Sequence, residues 1–377
     1  MLHRYEQTFL QHHTVSAQVL KTFHAIKICR TRKLGGHKKR CSCCDHVSIS
    51  YNSCRNRHCP KCQNIAKQKW IKQREAELLV VPYFHVVFTL PSEFNLLALS
   101  NPKQVYNALF QASWQTIQTF SADPKHLGAK TGMTAVLHTW GQTLSLHPHL
   151  HCIVPGGGLN AKGEWVLPKK STKRSIRNQK YLYPTQTLSA VYRAKFMSCL
   201  REQITIPQQI AKAVMYKDWV VYAKRPFLGP KQVIEYLGRY THKIAISNHR
   251  LLSINNRRIT FGYKDYRASG ANKKMTLSSI EFIRRFSMHI LPHGFTRIRH
   301  YGILASKNKA IDLNKAKTYF GLGKWIKQEF KWEDIASERL NIIPNQCPKC
   351  KKLTLEVIEI IHPMRGPPSA IKPNNDF

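Results

Sequence analysis

The sequence predicts an α+β protein, and three observations support this fold class. Patterns typical of buried strands and of amphipathic helices alternate through one central block of the chain. Cysteine-containing segments lie on both sides of that block. Hydrophobic residues make up 42% of the 377 residues, which is enough to bury the cores of two or three domains. We therefore expect three regions: a cysteine-rich segment 1–78, a central domain 79–305, and a basic C-terminal region 306–377 that ends in a disordered tail.

Short apolar runs predict the strands of the central domain. YFHVVFTLP at 83–91 is β-branched and aromatic and stops at a proline, as a buried strand does. Residues 134–154 predict a strand pair, or one long strand with an edge. Residues 251–263 predict a hairpin that turns at Asn255-Asn256, because asparagine tolerates the positive φ of a two-residue turn. Further strands are expected at 218–224 and 295–304.

Apolar residues at helical spacing predict the helices. One of them should include residues 231–240, because Gly229 suits a preceding turn and Pro230 suits the first turn of a helix. The others are expected at 67–79, 103–120, 185–203 and 278–291.

The charge of the chain indicates a polyanionic partner. Lys and Arg number 60 and Asp and Glu 20, which gives a formal net charge of +40 spread along the chain. Such an excess opposes compaction, so nucleic acid is the expected partner. No apolar run reaches the ~18 residues of a membrane-spanning helix, and the N-terminus lacks the apolar core of a signal peptide. We therefore expect a protein of the cytoplasm without a membrane partner.

The N-terminal cysteines predict a structural zinc site. Cys41 and Cys44 form one Cys-x-x-Cys motif and Cys59 and Cys62 a second, and four such thiolates close a tetrahedron around Zn²⁺. The odd total of 11 cysteines argues against disulfides. The alternative is that these residues are plain buried thiols. Other ligands compete at Cys43, His46, Cys54 and His58, of which Cys54 and His58 are the main alternates.

Three basic residues lie among these cysteines and are candidates for contact with DNA. Arg55 and Arg57 shortly precede the second Cys-x-x-Cys motif, and Lys61 lies within it. In a chain of this charge, we expect them to hold the DNA backbone. The alternative is an ordinary solvated surface.

HPHLHC at 147–152 predicts a second metal site. In a strand, His149 and His151 point to the same face, about 7 Å apart along the strand, and two imidazoles can hold one divalent ion. His147 lies one step further along, and Pro148 can break the regular strand. A His-x-His pair is also typical of an ordinary core, so it does not decide the function alone.

YLGRYTHK at 236–243 places two tyrosines four residues apart. On a helix, Tyr236 and Tyr240 share one face, with Arg239 and Lys243 beside them. Taken alone, such a pair is more typical of packing, with the two cations in solvent. Taken together with a metal site and a basic surface, it meets the requirements for phosphodiester cleavage by a tyrosine. A free phenol with a pKa of ~10 is a poor nucleophile at neutral pH, so Lys243, Arg239 or the metal would have to favour the phenolate.

Four stretches of the sequence resemble rolling-circle insertion-sequence transposases of the His-hydrophobic-His (HUH), two-tyrosine class, the insertion-sequence-91 type. They are FHVVFTLP, HTWGQTLSLHPHLHCIVPGGGL, YLGRYTHKIAISNHRL and FTRIRHYGIL. YNSCRNRHCPKCQ is similar to the zinc-binding domain that precedes their catalytic domain. YLGRYTHK is also similar to the Tyr-x-x-Lys-Tyr-x-x-Lys motif of phage rolling-circle initiators, with Arg239 in place of a lysine. The resemblance covers roughly residues 15–305.

This resemblance implies a zinc-binding, DNA-binding module followed by an HUH-nuclease domain with a central antiparallel sheet and flanking helices. Tyr236 and Tyr240 would be the nucleophiles, and His149 and His151 would bind a catalytic Mg²⁺ or Mn²⁺. The implied reaction is the nicking and rejoining of single-stranded or melted DNA at element ends, through a 5′-phosphotyrosine, at the bacterial nucleoid. The candidates for a third metal ligand are His85, His138, Gln142, His147 and His242.

Two other functions stay open on the sequence. A rolling-circle replication initiator would use the same chemistry, and a non-catalytic zinc-containing DNA-binding regulator would use the same residues for packing. The chain has no GK[ST] phosphate loop, so no nucleotide cofactor is expected. CPKC at 347–350 is either half of a second metal site, with His362 as a further ligand, or a remnant without metal.

Overall fold

The structure is a computed structural model that describes residues 1–168, 183–223 and 244–364, with residues 232, 233, 236 and 238 between them. Helices and strands are mixed along the chain, and the largest sheet is antiparallel. The predicted α+β class with a central antiparallel sheet is therefore confirmed. Across this described part of the chain, no helix combines the length and apolar character needed to cross a bilayer.

The elements of the described residues are numbered in chain order. The strands are β1 (Gly36–Cys41), β2 (Val47–Tyr51), β3 (Tyr83–Thr89), β4 (Gly132–Trp140), β5 (Leu146–Pro155), β6 (Gly158–Leu159), β7 (Trp165–Val166), β8 (Val221–Ala223), β9 (Leu251–Asn255), β10 (Arg258–Asp265), β11 (Ala271–Ser278), β12 (Ile298–Gly302) and β13 (Leu355–Ile361). The α-helices are α1 (Leu2–His12), α2 (Ala17–Ile28), α3 (Gln63–Glu75), α4 (Asn95–Ser100), α5 (Pro102–Ala122), α6 (Thr185–Arg201), α7 (Gln208–Met215), α8 (Ser279–Ser287), α9 (Ser306–Asn308), α10 (Asn314–Tyr319) and α11 (Trp332–Leu340).

Five strands form the central sheet, in the order β12-β4-β5-β3-β8. Every neighbouring pair in it is antiparallel. A second sheet has the order β11-β10-β9, and a third has the order β13-β1-β2. The third sheet joins the two ends of the chain, because β13 pairs with β1 from Gly36↔Ile361 to Cys41↔Leu355.

β3 and β5 divide their side chains between an apolar core and the opposite face of the central sheet. Successive residues of a strand point to opposite faces, so each strand supplies both. The core face packs against α5 and α6 and is formed by Phe84, Val86, Phe88, Leu150, Cys152 and Val154. The opposite face lines a cavity and is formed by His85, Val87, Thr89, His149 and His151. One core thus fixes both the position and the direction of the histidines.

Strongly periodic segments follow the sequence prediction, whereas a lysine-rich strand does not. The strand predicted at 83–91 and the strand pair predicted at 134–154 are β3, β4 and β5. The sequence missed β11, because ANKKMTLS is almost entirely exposed and lacks the apolar alternation of a half-buried strand.

The predicted hairpin at 251–263 is present, but its turn is one residue further along. Asn255 still pairs with Arg258, so it belongs to β9. The turn residues are Asn256 and Arg257, with φ of 45° and 60°. Both values suit the left-handed conformation of a two-residue hairpin turn.

The division into the regions 1–78, 79–305 and 306–377 stays a prediction. The structure shows that the last region contacts the other two. Leu313 and Ala316 pack in one cluster with Leu79 and Val81, and β13 lies in the sheet of the N-terminal region. The tail predicted to be disordered lies outside the described residues from 365 onward.

Candidate active site and cysteine clusters

Three imidazoles converge on one face of the central sheet. His149 and His151 are two residues apart on β5, and His138 of β4 is paired directly with His149. Side chains paired across antiparallel strands lie on the same face, so the pairing register itself brings His138 to the pair. One ring nitrogen from each of the three lies within 4.8 Å of the others. His138 and His151 are buried, and His149 is partly exposed.

The Nδ1 contact of His149 shows which of its nitrogens would face a metal. Its Nδ1 lies 2.7 Å from the carbonyl oxygen of His147, which can only accept, so Nδ1 carries the proton. Its Nε2 then holds a lone pair and lies 3.2 Å from Nε2 of His151. Two nitrogen ligands of one tetrahedral ion with bonds of ~2.0–2.1 Å lie about 3.3 Å apart. The donor pair therefore fits a single ion.

His85 connects this cluster to Tyr236. Its Nε2 lies 2.9 Å from Nδ1 of His151, and its Nδ1 lies 3.2 Å from the Tyr236 hydroxyl. The rings of His85 and His151 are stacked, with centroids 5.1 Å apart. The Tyr236 hydroxyl is thus linked through one imidazole to a candidate metal ligand.

The segment that bears Tyr236 is held against α3. Residues 232, 233, 236 and 238 have helical backbone, in agreement with the predicted helix. A Cβ on Gly238 would lie 2.4 Å from Cδ1 of Ile71, so a larger residue at 238 would require the Ile71 side chain to move. Val233 and Tyr236 pack with Leu79. The other predicted residues of this motif lie outside the described residues; they are Arg239, Tyr240, His242 and Lys243.

One cavity of about 510 Å³ is lined by Tyr236 and by His85, His138, His149 and His151. Its wall includes the side chains of Tyr222 and Tyr266, which are 52% and 72% exposed. Among the described histidines that are candidates for the third ligand, only His138 groups with His149 and His151. The others that line the cavity are His85, Gln142 and His147. The sequence named His138 as one of five candidates and could not select it, because the selection depends on the β4–β5 register.

The predicted zinc quartet is wrong, because its two motifs belong to different clusters. Cys59 and Cys62 lie with Cys29 and Cys54, and we call these four the first cysteine cluster. Its sulfurs are close, with 3.2 Å between Cys29 and Cys62 and 3.6 Å between Cys54 and Cys62. The alternate Cys54 is therefore part of it. Cys29 carries no local motif, since it stands 25 residues before Cys54 at the end of α2, and only the fold reveals it.

Cys41 and Cys44 lie instead with two cysteines of the C-terminal region. They group with Cys347 and Cys350, and we call these four the second cysteine cluster. The separation has a physical cause, because Cys41 ends β1 and β1 pairs with β13 rather than with the segment that contains Cys59. The grouping favours the alternative that CPKC is half of a metal site, with Cys41 and Cys44 as the other half. His362 is not part of the group.

Family comparisons match both the N-terminal region with the cysteines and the central domain with the histidines. Residues 132–310 match the family described as "Putative transposase", and residues 1–90 match the family described as "Transposase zinc-binding domain". The protein named "Putative transposase y4qJ" of Sinorhizobium fredii is 42% identical over 380 residues, covering 97% of this chain and 95% of that protein. The chain belongs to the transposase family of insertion-sequence-91 type. DNA is therefore its partner.

A second relative supports the same assignment. The protein named "Transposase for insertion sequence element IS801" of Pseudomonas savastanoi pv. phaseolicola is 28% identical over 351 residues. The match covers 88% of this transposase and 81% of that protein. No solved structure matches the chain.

His58 and Arg57 of the transposase fasten its zinc-binding region to the central domain. Burial, with a further contribution from Arg297, lowers the pKa of His58 to about 3, so its neutral ring accepts a hydrogen bond from the Leu291 backbone N–H at 3.4 Å. His58 is absent from the first cysteine cluster, which corrects its place as an alternate zinc ligand. The Arg57 guanidinium donates to the carbonyl oxygens of Pro292 and Phe295. The sequence did not predict this internal role. The contacts of Arg55, Arg57 and Lys61 with DNA stay predictions, and Arg55 and Lys61 are exposed.

The first cysteine cluster fits a zinc ion better than a set of free thiols. Its four sulfurs lie within 4.8 Å of one another, close enough to share one ion. Zinc is bound by four thiolates in closed structural sites. Zinc binding by this region agrees with the family match at residues 1–90.

Cys29→Ser should remove one zinc per chain, because a closed tetrahedral site loses a ligand that the neighbouring thiols do not replace. Metal analysis of the transposase purified under reducing conditions measures this. Cys199→Ser is the matched control, since Cys199 is also buried but bonds to Gln115 outside both clusters. Full zinc content in the Cys29 variant would show that Cys29 is not a ligand.

Proposed function

We propose that this transposase nicks and rejoins single-stranded DNA at element ends through a 5′-phosphotyrosine, in rolling-circle transposition. One observation supports this most directly. The Tyr236 hydroxyl opens into the same cavity as His138, His149 and His151. A nucleophile and a candidate metal site therefore face the same space, which is the arrangement that phosphoryl transfer to a tyrosine requires.

His138, His149 and His151 would hold the catalytic ion. Among the described residues, this group contains three imidazoles and no carboxylate. Imidazole is a better ligand for Mn²⁺ than for Mg²⁺, which prefers oxygen, so the donor set favours Mn²⁺ of the two. Such an ion, when bound, supplies positive charge next to the non-bridging phosphate oxygens. Three protein ligands leave further coordination positions for DNA and water.

The protein's own hydrogen bonds direct a donor at the attacking oxygen. With the Nε2 atoms of His149 and His151 reserved for the ion, His151 carries its proton on Nδ1 and donates it to Nε2 of His85. Neutral His85 then has its proton on Nδ1, which lies 3.2 Å from the Tyr236 oxygen. A hydrogen bond donated to that oxygen favours the phenolate over the phenol. His85 is thus a positioning residue for Tyr236.

The reaction balances without an external energy source. The Tyr236 hydroxyl releases its proton to solvent and its oxygen forms a bond to phosphorus. The bond from phosphorus to O3′ breaks, and O3′ takes a proton from solvent and leaves as a hydroxyl. The phosphotyrosine keeps the 5′ end, and attack by a 3′-hydroxyl reverses the step, so rejoining needs no nucleotide cofactor. A second phenol at Tyr240 would cut again while Tyr236 still holds a strand. Its role, and those of Arg239 and Lys243, remain predictions.

Exposed tyrosines beside the cavity favour a single-stranded substrate. Tyr222 is paired with Val87 across β8 and β3, which places it next to the histidine face. Tyr222 and Tyr266 expose 52% and 72% of their surface. Unpaired bases stack on such rings, whereas the bases of a duplex are already stacked on one another. Exposed Arg55 and Lys61 would add contacts with the backbone.

The tyrosine assignment is tested by trapping the covalent adduct. Phenylalanine keeps the packing and removes the nucleophile, so Tyr236→Phe/Tyr240→Phe should bind a labelled single-stranded element end with normal affinity and form no adduct. Each single variant should still form an adduct on one end but fail to transpose in cells. Tyr216→Phe is the control, because Tyr216 is 94% exposed and lies outside the cavity wall. Peptide mapping that finds the label only outside residues 231–243 would overturn the proposal.

The metal assignment is tested by comparing two histidines of the same cavity. His138→Ala should slow nicking by at least ~10²-fold, because transition-state stabilisation by a bound ion is worth several kcal/mol. His147→Ala should nick near the wild-type rate, since the hydrogen bond that His149 donates goes to the His147 backbone carbonyl, which the substitution keeps. Binding of DNA should persist in both variants. Equal rates for both variants would remove His138 from the site.

The preference for single strands is tested at Tyr266. Stacking of one base on an aromatic ring is worth ~1–3 kcal/mol, so Tyr266→Ala should weaken binding of a single-stranded oligonucleotide by about 5- to 150-fold. Binding of a matched duplex should change little. Tyr216→Ala serves as the exposed control outside the cavity. An equal loss for duplex and single strand would contradict a stacking role.

A further inference from the structure

We propose that the second cysteine cluster, formed by Cys41, Cys44, Cys347 and Cys350, is a second structural zinc site that fastens the C-terminal strand to the N-terminal sheet. The four sulfurs lie within 4.8 Å of one another. The sulfur of Cys41 is 3.6 Å from that of Cys350, and the sulfur of Cys44 is 3.6 Å from that of Cys347. The zinc-binding family match ends at residue 90, so it does not include the second half of this site.

The same turn is built twice, once in each half of the site. The Cys41 N–H donates to the His46 carbonyl at 3.0 Å, and the Asp45 N–H donates to the Cys41 carbonyl at 3.0 Å. In the other half, the Cys347 N–H donates to the Lys352 carbonyl at 2.8 Å, and the Lys351 N–H donates to the Cys347 carbonyl at 2.9 Å. The two stretches lie about 300 residues apart in the chain and still fold alike around their Cys-x-x-Cys pairs.

The shared turn places a non-glycine residue in the left-handed region in each half. Asp45 has a φ of 55° and Lys351 a φ of 62°. This conformation is unfavourable for residues other than glycine, and it persists where the surroundings impose it. A turn of this shape directs both sulfurs of a Cys-x-x-Cys pair to one side. Two such turns facing each other give the tetrahedral S₄ arrangement that zinc prefers.

Hydrogen bonds outside the sulfurs hold the two halves in register. Cys41 is paired with Leu355 at the end of the β1–β13 ladder. Just beyond it, the Ser42 N–H donates to the Thr354 carbonyl at 2.9 Å. The Thr354 hydroxyl lies 2.9 Å from the Cys41 sulfur, where it can donate to a thiolate. Donors of this kind orient and stabilise metal ligands.

In the part of the chain that the structure describes, the sheet that contains the site has no apolar core to stabilise it. All interior residues of β13 are exposed, and β2 has no buried residue. Its large apolar side chains are about half exposed, as in Val47, Ile49, Val357, Ile358 and Ile360. A small sheet without a core is marginal in water, and a structural metal is one way in which such a sheet is stabilised. The ladder to β13 therefore depends on the four cysteines more than on burial.

The charge around the site suits a zinc tetrathiolate. Zinc with four thiolates has a net charge of −2, which has to be balanced locally. Basic residues adjoin both motifs: Lys39 and Arg40 precede Cys41, and Lys351 and Lys352 follow Cys350. The site is distinct from the first cysteine cluster, with which it shares no residue. It is also independent of the nicking chemistry, so its test does not depend on that proposal.

Metal analysis of full-length variants tests the site. Cys347→Ser/Cys350→Ser should lower the zinc content by one per chain, and combining it with Cys29→Ser should lower it by one more. Cys43→Ser is the matched control, because Cys43 is exposed, adjacent to Cys44 and outside the cluster. X-ray absorption of the wild type should show only sulfur neighbours at about 2.3 Å from zinc. Unchanged zinc content in Cys347→Ser/Cys350→Ser overturns the proposal.

A measurement on the wild type keeps the test valid if that variant does not fold. Alkylation followed by peptide mapping compares the zinc-loaded transposase with the chelated one. Cys44 and Cys350 are only partly buried, so their protection has to come from a bound metal. We expect both to react slowly with zinc and quickly without it, while exposed Cys43 reacts quickly in both states. Reaction of Cys44 and Cys350 as fast as Cys43 in the zinc-loaded protein refutes the site.

Discussion

The register of β5 between β4 and β3 is the constraint on which the candidate active site depends. On one side of β5, His138 of β4 lies opposite His149, and on the other side Val87 of β3 lies opposite His151. This register fixes the face to which each residue of β5 points. It directs the alternate residues of β5, among them Leu150 and Cys152, into the core against α5 and α6. A slip of one residue in β5 would turn His149 and His151 into the apolar core and Leu150 and Cys152 toward the cavity, and placing imidazoles among apolar side chains costs several kcal/mol. The energy that forms the core therefore also aligns the metal-binding face.

The zinc-binding region is coupled to the tyrosine segment through a short structural path. Cys62 of the first cysteine cluster is the N-cap residue that directly precedes α3. Two turns later, Ile71 of α3 lies against Gly238, close to Tyr236. The cluster thus fixes the start of the helix that supports the candidate nucleophile. His58 and Arg57 fasten the same region to residues 291–295. The zinc-binding region supports the active site as well as serving as a candidate DNA contact.

The sequence predicted local features well and long-range partners poorly, for a physical reason. Alternating apolar residues give β3 and β5 directly, and His149 and His151 follow from the spacing within one strand. A Cys-x-x-Cys spacing shows that two thiols can share a metal, but it does not say which second pair completes the site. The pairing of β1 with β13 decides that, and the apolar residues of β13 do not indicate which strand it pairs with. Cys29 and His138 became identifiable only from the folded chain.

The two kinds of proposed metal site differ in their ligands in a way that matches their roles. Each cysteine cluster offers four thiols, and four thiolates complete the coordination of zinc and exclude substrate. The histidine cluster offers three imidazoles at the wall of an open cavity, so positions remain for a phosphate and water. Thiolates select soft metals, and the histidine cluster has no thiolate. The difference in ligands would therefore separate a tightly held structural ion from an exchangeable catalytic ion. Under the proposed function, zinc would stay in the framework of the protein, and Mn²⁺ or Mg²⁺ would enter the cavity with DNA.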